Sequence, residues 1–122
     1  VTYAKDRVQF GKPIAGHQLI SAKLGEMATK IQAGKLMSFC ALSAIDNNER
    51  SDVYSAMSKW FGAEMACEVV AEAMQIHGGN GVTSEFPIEY MYRSVRLFMV
   101  TEGTNEIQKL AIGRSLTGID AF

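Results

Sequence analysis

Cysteine, proline and histidine are all scarce in this chain, with two of each among its 122 residues. Cys40 and Cys67 lie far apart in apolar surroundings, which favours two packed thiols in a reducing compartment over a disulfide bond. His17 and His77 have no cysteine or carboxylate at the spacing of metal ligands, so we predict no metal site. With only two prolines, long stretches are free to form helices.

A strong charge of either sign is also missing, since the formal net charge is −1 at pH 7. This balance gives no general attraction to nucleic acid or to anionic lipid, and we expect neither as a partner. No apolar run is long enough to span a bilayer, and no signal peptide is recognisable. A hydrophobic fraction of 48% against 20% charged residues excludes a disordered chain.

The length of the chain suits one domain with a buried core. The pattern of residues 1–7 predicts a helix from the first residue, without an initiator methionine or an N-cap residue. We therefore expect residues 1–122 to form a single domain taken from a larger protein. A missing targeting segment carries no weight in that case.

Apolar residues at helical spacing predict a mainly helical fold, and most of the chain lacks strand-like alternation. Beyond a helix end in residues 1–9, we expect long helices from Ile14 or His17 to about Ala44 and from Ser51 or Asp52 to about Ile76. Two shorter helices follow, at about 87–99 and 104–116. The predicted fold is an all-α, up-and-down domain that resembles a four-helix bundle.

Two predictions concern which residues are buried. The wide apolar arc from Leu36 to Leu42 indicates that the second half of the first long helix is deeply buried. On the last helix, we expect Ile107, Leu110 and Ala111 to face the core.

The segment from Thr101 to Gln108 carries the strongest candidate for catalysis. Gly103 allows a sharp reversal, and Thr104 can cap the following helix with Glu106 in its first turn. Glu102 then lies on irregular backbone before a helix N-terminus, where a carboxylate is a plausible general base. Composition alone favours the alternative, a surface glutamate before a capped helix.

Two other segments carry candidate ligand-binding residues. Arg7 offers a planar fork for phosphate oxygens, Phe10 a flat apolar face, and Gln18 an amide that donates and accepts. A surface arginine, a core phenylalanine and a glutamine at a helix start are the alternatives. The glycine-rich segment 75–81, with Gly78 and Gly79, lets backbone approach a ligand closely, although it is not a dinucleotide-binding fingerprint.

Together and in this order, the segments 7–18, 75–81 and 102–108 resemble those of one family. The whole chain is similar to the C-terminal helical domain of the acyl-CoA dehydrogenases, which are flavoproteins. The resemblance implies an acyl-CoA substrate, FAD as cofactor and an electron-transfer flavoprotein as electron acceptor. It also implies a homotetramer built as a dimer of dimers.

The resemblance further implies a role for each matching position. Glu102 corresponds to the base that removes the α-proton of the acyl-CoA, and Thr101 and Gly103 lie at the substrate. Two groups correspond to contacts with the FAD of a neighbouring subunit: Arg7, Phe10 and Gln18, and then Gln75, Gly78 and Gly79. Thr104 and Glu106 correspond to positions near the flavin of the subunit's own site.

Two positions depart from the family's pattern and leave the acyl group of the substrate open. Thr101 replaces a common tyrosine at the acyl pocket, and Ser94 follows Arg93 where an aspartate is frequent.

The rival hypotheses are an acyl-CoA oxidase-like flavoenzyme on the same scaffold and a non-catalytic helical assembly module. We expect the isolated chain to be inactive and to bind FAD weakly. The expected location of the parent protein is the cytoplasm of a prokaryote or the mitochondrial matrix of a eukaryote.

Overall fold

A computed structural model describes residues 1–121 of the chain, so the last residue of the predicted domain 1–122 lies outside the described residues. The α-helices are α1 (Thr2–Asp6), α2 (Gln18–Asp46), α3 (Asp52–His77), α4 (Ile88–Val95) and α5 (Asn105–Thr117). Short 3-10 segments lie at Ile14–Gly16, Gly78–Val82 and Arg96–Met99. The all-α prediction is therefore confirmed.

A small hairpin between α1 and α2 was not predicted. Its strands, β1 (Val8–Gln9) and β2 (Lys12–Pro13), are antiparallel and pair Val8 with Pro13. Each strand has two residues, which is too short to show an alternating sequence pattern. The turn between them uses positive φ angles at Phe10 (52°) and Gly11 (78°). The turn at Phe10 and Gly11 thus closes a hairpin.

Side-chain contacts define the directions of the longer helices. Lys23 on α2 bonds Glu72 on α3, and Ser38 on α2 lies 2.8 Å from Ser58 on α3, so the two helices are antiparallel. Lys109 of α5 donates to Glu64 at 3.1 Å, and four residues earlier Asn105 accepts from Lys59 at 2.9 Å. α5 therefore runs parallel to α3, and α3 is the central helix of the domain.

The predicted deep burial of residues 36–42 is wrong. Leu36, Phe39 and Leu42 are 54%, 61% and 54% exposed. The buried residues of α2 are small and lie on a different face, namely Gly34, Ala41 and Ala44. α2 thus approaches α3 along a small-residue face, which leaves the large apolar side chains pointing away.

The core face predicted for α5 is also wrong. Ile107 is 47% exposed, Leu110 is 37% exposed, and Ala111 is exposed as well. Asn105 and Ile112, seven residues apart, are the buried residues of this helix. They share one face at helical spacing, and that face packs on α3.

Gly81 is predicted to be intolerant of a side chain, because a Cβ there would lie 2.5 Å from the backbone oxygen of Met74. We expect Gly81→Ala to lower the free energy of unfolding by about 1–3 kcal/mol. The matched control is Gly25→Ala on α2, where a Cβ would meet nothing within 4 Å. The control should stabilise the chain by about 0.5–1 kcal/mol. Chemical denaturation measures both changes, and equal midpoints for the two variants would contradict this account.

Among residues 1–121, no helix has both the length and the apolar character needed to cross a membrane.

Candidate functional site

The turn before α5 is fixed by hydrogen bonds on both sides. The Thr101 N–H donates to the Leu97 carbonyl at 3.0 Å, and the Gln108 side chain donates to the carbonyls of Glu102 and Gly103 at 3.4 Å. Gly103 has a φ of 92°, as the predicted reversal requires, and Glu102 itself has a φ of 55°. A glutamate rarely adopts this left-handed region, so the turn holds Glu102 in a strained conformation.

The residue after Gly103 begins the last helix as predicted. The Thr104 hydroxyl accepts a hydrogen bond from the Ile107 N–H at 3.4 Å, which is the expected N-cap contact. The pKa of the Glu106 carboxyl is lowered, first by its own backbone N–H and then by the Thr104 hydroxyl. Both residues therefore stabilise the N-terminus of α5, and neither lines the pocket beside Glu102.

A pocket of about 240 Å³ lies between this turn and α3. It places Thr101 and Glu102 together, as expected of residues at one substrate site. Its other lining residues are Ser58, Lys59, Gly62 and Ala63 of α3 and Phe98 of the preceding 3-10 segment. Within the described part of the chain, the Glu102 carboxylate has no hydrogen bond or ion pair, and its N–H has no acceptor. Both groups are thus available to a ligand.

Sequence reasoning missed the wall of the pocket on α3. Ser58 and Gly62, like Lys59 and Ala63, are four residues apart and therefore share a helix face. This run of small residues around one lysine was the available signal. A lysine on a helix is usually expected to be solvent-exposed. That Lys59 lines the pocket follows only from the packing of α3 against the turn.

A second pocket, of about 330 Å³, brings together residues more than seventy positions apart in the sequence. Arg7 lines it with Gly78 and Gly79, so two of the predicted binding segments meet here. Arg7 makes no ion pair with another residue in 1–121. The pocket thus combines an unpaired guanidinium with glycine backbone, and this donor set fits a phosphate or pyrophosphate group.

An aromatic cluster holds the two segments of this second pocket together. The Tyr3 and His77 rings are stacked with their centroids 4.2 Å apart, and Phe86 meets both rings edge-on. The Tyr3 hydroxyl donates to the His77 carbonyl at 3.1 Å and accepts from the Asn80 side chain at 3.0 Å. α1 is thereby fixed against the glycine-rich turn that follows α3.

The other three predicted binding residues lie outside this pocket. Gln75 lines an adjacent pocket of about 350 Å³, which shares Gly78 with it. Phe10 is at the tip of the hairpin and is 93% exposed, so it is not a core residue. Gln18 is the first residue of α2 and is also exposed. Phe10 and Gln18 are thus available only to a group outside this chain.

The cysteines form no site in the described chain. Both are free thiols; Cys67 is half-buried, whereas Cys40 is exposed and not packed as expected. Burial raises the pKa of the Cys67 thiol. No three His, Cys, Asp or Glu side chains in residues 1–121 are grouped so that they could hold a metal ion.

A comparison with protein families decides the identity of the domain. The model of the C-terminal domain of acyl-CoA dehydrogenases matches residues 1–117. The chain belongs to the acyl-CoA dehydrogenase family. The matched region of this dehydrogenase domain includes both pockets and every candidate residue named above.

Curated relatives of the dehydrogenase domain are much longer proteins. A 3-(aryl)acrylate reductase of Clostridium sporogenes is 44% identical over 116 residues, which are 95% of this chain and 31% of the relative. A subunit of the caffeyl-CoA reductase-Etf complex of Acetobacterium woodii is 41% identical over the same shares. The chain therefore spans about a third of the length of these relatives.

Solved structures share the fold of the dehydrogenase domain. Butyryl-CoA dehydrogenase from Megasphaera elsdenii matches with a TM-score of 0.93 and 36% identity, over 94% of this chain and 30% of the other. An FAD complex of PigA matches with a TM-score of 0.91 and 31% identity, over 94% and 30%. The arrangement of helices is thus shared with an acyl-CoA dehydrogenase and with a protein that binds FAD.

Proposed function

We propose that this chain is the C-terminal domain of an FAD-dependent acyl-CoA dehydrogenase and that Glu102 is its catalytic base. The observation that carries the proposal is the unpaired Glu102 carboxylate, held on a strained turn at the edge of a pocket. A base must reach a substrate proton, and its basicity must not be lowered by an ion pair with a neighbouring cation. A carboxylate fixed by its backbone and free of ion pairs meets both requirements.

In the proposed reaction, Glu102 removes the α-proton of an acyl-CoA thioester, and the β-carbon loses hydride, so that a 2-enoyl-CoA forms. When bound, FAD supplies the hydride acceptor. Negative charge develops on the thioester oxygen as the α-proton leaves, and a fixed donor stabilises it. The Glu102 N–H has no acceptor among the described residues, so it is free to donate to that oxygen.

The second pocket is the proposed contact with the pyrophosphate and adenosine part of FAD. Arg7 would pair with a phosphate oxygen beside Gly78 and Gly79, and Gln75 would extend this contact from the adjacent pocket. The Glu102 pocket lies against residues 58–63 in the first half of α3, whereas the Arg7 pocket lies at the C-terminal end of this helix. This separation supports the proposal that they serve the FAD molecules of two different subunits.

The proposed assembly is a homotetramer, a dimer of dimers. Phe10 at the tip of the hairpin and Gln18 at the start of α2 are exposed and would contact the FAD of a neighbouring subunit. Thr104 and Glu106, at the N-terminus of α5, would lie near the flavin of the subunit's own site. The proposed electron acceptor is an electron-transfer flavoprotein, and the caffeyl-CoA reductase relative belongs to a complex with such a protein. We propose a cytoplasmic or mitochondrial-matrix location.

A second candidate function is the reverse reaction on an aryl-substituted 2-enoyl-CoA. Two relatives support it, since one is a 3-(aryl)acrylate reductase and the other a subunit of a caffeyl-CoA reductase. Small side chains at Gly62, Ala63 and Thr101 give the pocket beside Glu102 room for a ring, and Phe98 offers an aromatic contact. In this direction Glu102 would return a proton to the α-carbon.

The absorbance of the full-length flavoprotein, recorded without oxygen, tests both candidates. We expect 3-phenylpropionyl-CoA or an alkanoyl-CoA such as butyryl-CoA to bleach the flavin, and an electron-transfer flavoprotein to reoxidise it. Rapid reoxidation by oxygen instead would indicate an oxidase. If no acyl-CoA bleaches the flavin, the dehydrogenase proposal fails. The present chain alone should be colourless, because it carries only part of each FAD site.

A further inference from the structure

A lysine of α3 is bonded to the first residue of α5, three positions after Glu102. The Lys59 ammonium donates to the Asn105 side-chain oxygen at 2.9 Å. Asn105 is 1% exposed and is the largest fully buried side chain among the described residues. Lys59 also lines the Glu102 pocket. The bond therefore connects the pocket wall to the end of the turn that carries the base.

Apart from the Lys109 ammonium over the Trp60 ring, 4.9 Å from its centroid, this bond is one of two polar side-chain links between α3 and α5 in the described chain, and its acceptor is buried. The other joins Lys109 to Glu64 at 3.1 Å, and these side chains are 42% and 37% exposed. Exposed ion pairs contribute little to stability, whereas a buried acceptor that loses its donor is costly. Anchoring of the turn thus depends far more on Lys59 than on Lys109.

Asn105 has the Glu64 carboxylate as a second polar neighbour, but makes no bond to it in hydrogen-bond geometry. Its side-chain N–H and the Trp60 ring N–H have no partner in hydrogen-bond geometry among residues 1–121. Both groups are near the Glu64 carboxylate, whose pKa is lowered, first by Trp60, then by Lys109 and Asn105, while burial opposes the shift. The bond from Lys59 is therefore the one well-formed side-chain contact that fixes Asn105.

We propose that Lys59 and Asn105 are positioning residues that hold Glu102 in its strained conformation at the pocket. The inference rests on the proposed role of Glu102 as the base. Without the bond, the start of α5 would move away from α3 and the turn would relax. A displacement of about 1 Å at a catalytic group can cost roughly 100-fold in rate.

The test uses the full-length flavoprotein with butyryl-CoA and 3-phenylpropionyl-CoA as probes. We expect Lys59→Met and Asn105→Leu each to slow flavin reduction by roughly 10- to 100-fold. The FAD content should stay close to wild type in both variants, and so should the dissociation constants of the probes in Asn105→Leu, since Asn105 does not line the pocket. The double variant should be no slower than the slower single variant, because both changes remove the same bond. Lys59→Arg, which retains a donor, should recover most of the rate.

Lys109→Met is the matched control, since it breaks the exposed link between the same two helices. Its rate should stay close to wild type. Amide hydrogen exchange at Ile107 and Gln108, whose N–H groups bond to Thr104, should accelerate in Lys59→Met and not in the control. This readout distinguishes positioning of the turn from a general loss of stability. Should Lys59→Met fail to fold, Asn105→Ser, whose hydroxyl is too short to reach Lys59, provides the same test.

The outcomes separate this inference from the proposed function. If Glu102→Gln is inactive while Lys59→Met and Lys109→Met behave alike, the positioning role is wrong and the base assignment stands. If Glu102→Gln remains active, the base assignment is wrong, and the positioning role is overturned with it. A slow Lys59→Met beside an unaffected Lys109→Met supports the proposal.

Discussion

Glu102→Gln should lower the rate of flavin reduction by an acyl-CoA in the full-length protein by roughly 100- to 10,000-fold, the usual contribution of a general base. The amide has nearly the same shape as the carboxylate but cannot accept the α-proton. The carboxylate makes no ion pair among the described residues, so its replacement breaks no such contact. Stopped-flow absorbance of the flavin measures the rate directly.

The fold and the FAD content of the Glu102→Gln variant should be unchanged. Glu85→Gln is a suitable control, since Glu85 is also an exposed carboxylate and lies on the connector before α4. The control should reduce its flavin at the wild-type rate. Near wild-type reduction by Glu102→Gln itself would mean that another group is the base.

Arg7→Ala should weaken FAD retention in the full-length protein by roughly 10- to 100-fold. A hydrogen bond to a charged group contributes about 1.5–3 kcal/mol, which corresponds to this range. Arg7 lines its pocket without an ion pair in the described chain, so the guanidinium is available to a phosphate. The FAD released on gel filtration, measured by fluorescence, gives the change in affinity.

The control for Arg7 is Arg50→Ala. Arg50 is an exposed arginine in the loop between α2 and α3, where it pairs with Asp52 at 2.7 Å. Its removal should leave FAD content unchanged. Equal retention of FAD by Arg7→Ala and Arg50→Ala would count against the assignment of the second pocket to FAD.

Local sequence signals predicted the positions and ends of the helices well. The Thr104 cap is present, and the helix predicted at about 104–116 is α5, Asn105–Thr117. Such signals depend on a few neighbouring residues and are visible in the sequence. Ser51 stands at the N-cap position of α3 as predicted, but its side chain makes no capping bond.

Burial was predicted less well, because periodicity shows that a helix has an apolar face but not what that face meets. On α2 the large apolar side chains formed the obvious face, yet Gly34, Ala41 and Ala44 are the residues that α2 buries. On α5 the buried face centres on a polar residue, Asn105, whose amide no hydrophobic pattern would select. Tertiary packing decided both cases.

The residues of the candidate site were likewise predicted only in part. The turn with Glu102 and the meeting of Arg7 with the glycine-rich segment follow from motifs and from the resemblance to a family. Lys59 was found by neither route, because a single lysine beside small residues on α3 is a weak signal and forms no motif. Its importance comes from the bond to Asn105, which joins residues 46 positions apart.

The left-handed backbone at Phe10 and Glu102 lowers the stability of this domain at two residues that its proposed function needs. Both residues have positive φ, and each is followed by a glycine that also has positive φ. Glycine or asparagine would relieve this strain, so either substitution would be favoured wherever only stability is selected. A variant library ranked by thermal tolerance alone would therefore tend to discard the proposed base. Retention of glutamate at position 102 in an active library would in turn measure how strongly the chemistry requires it.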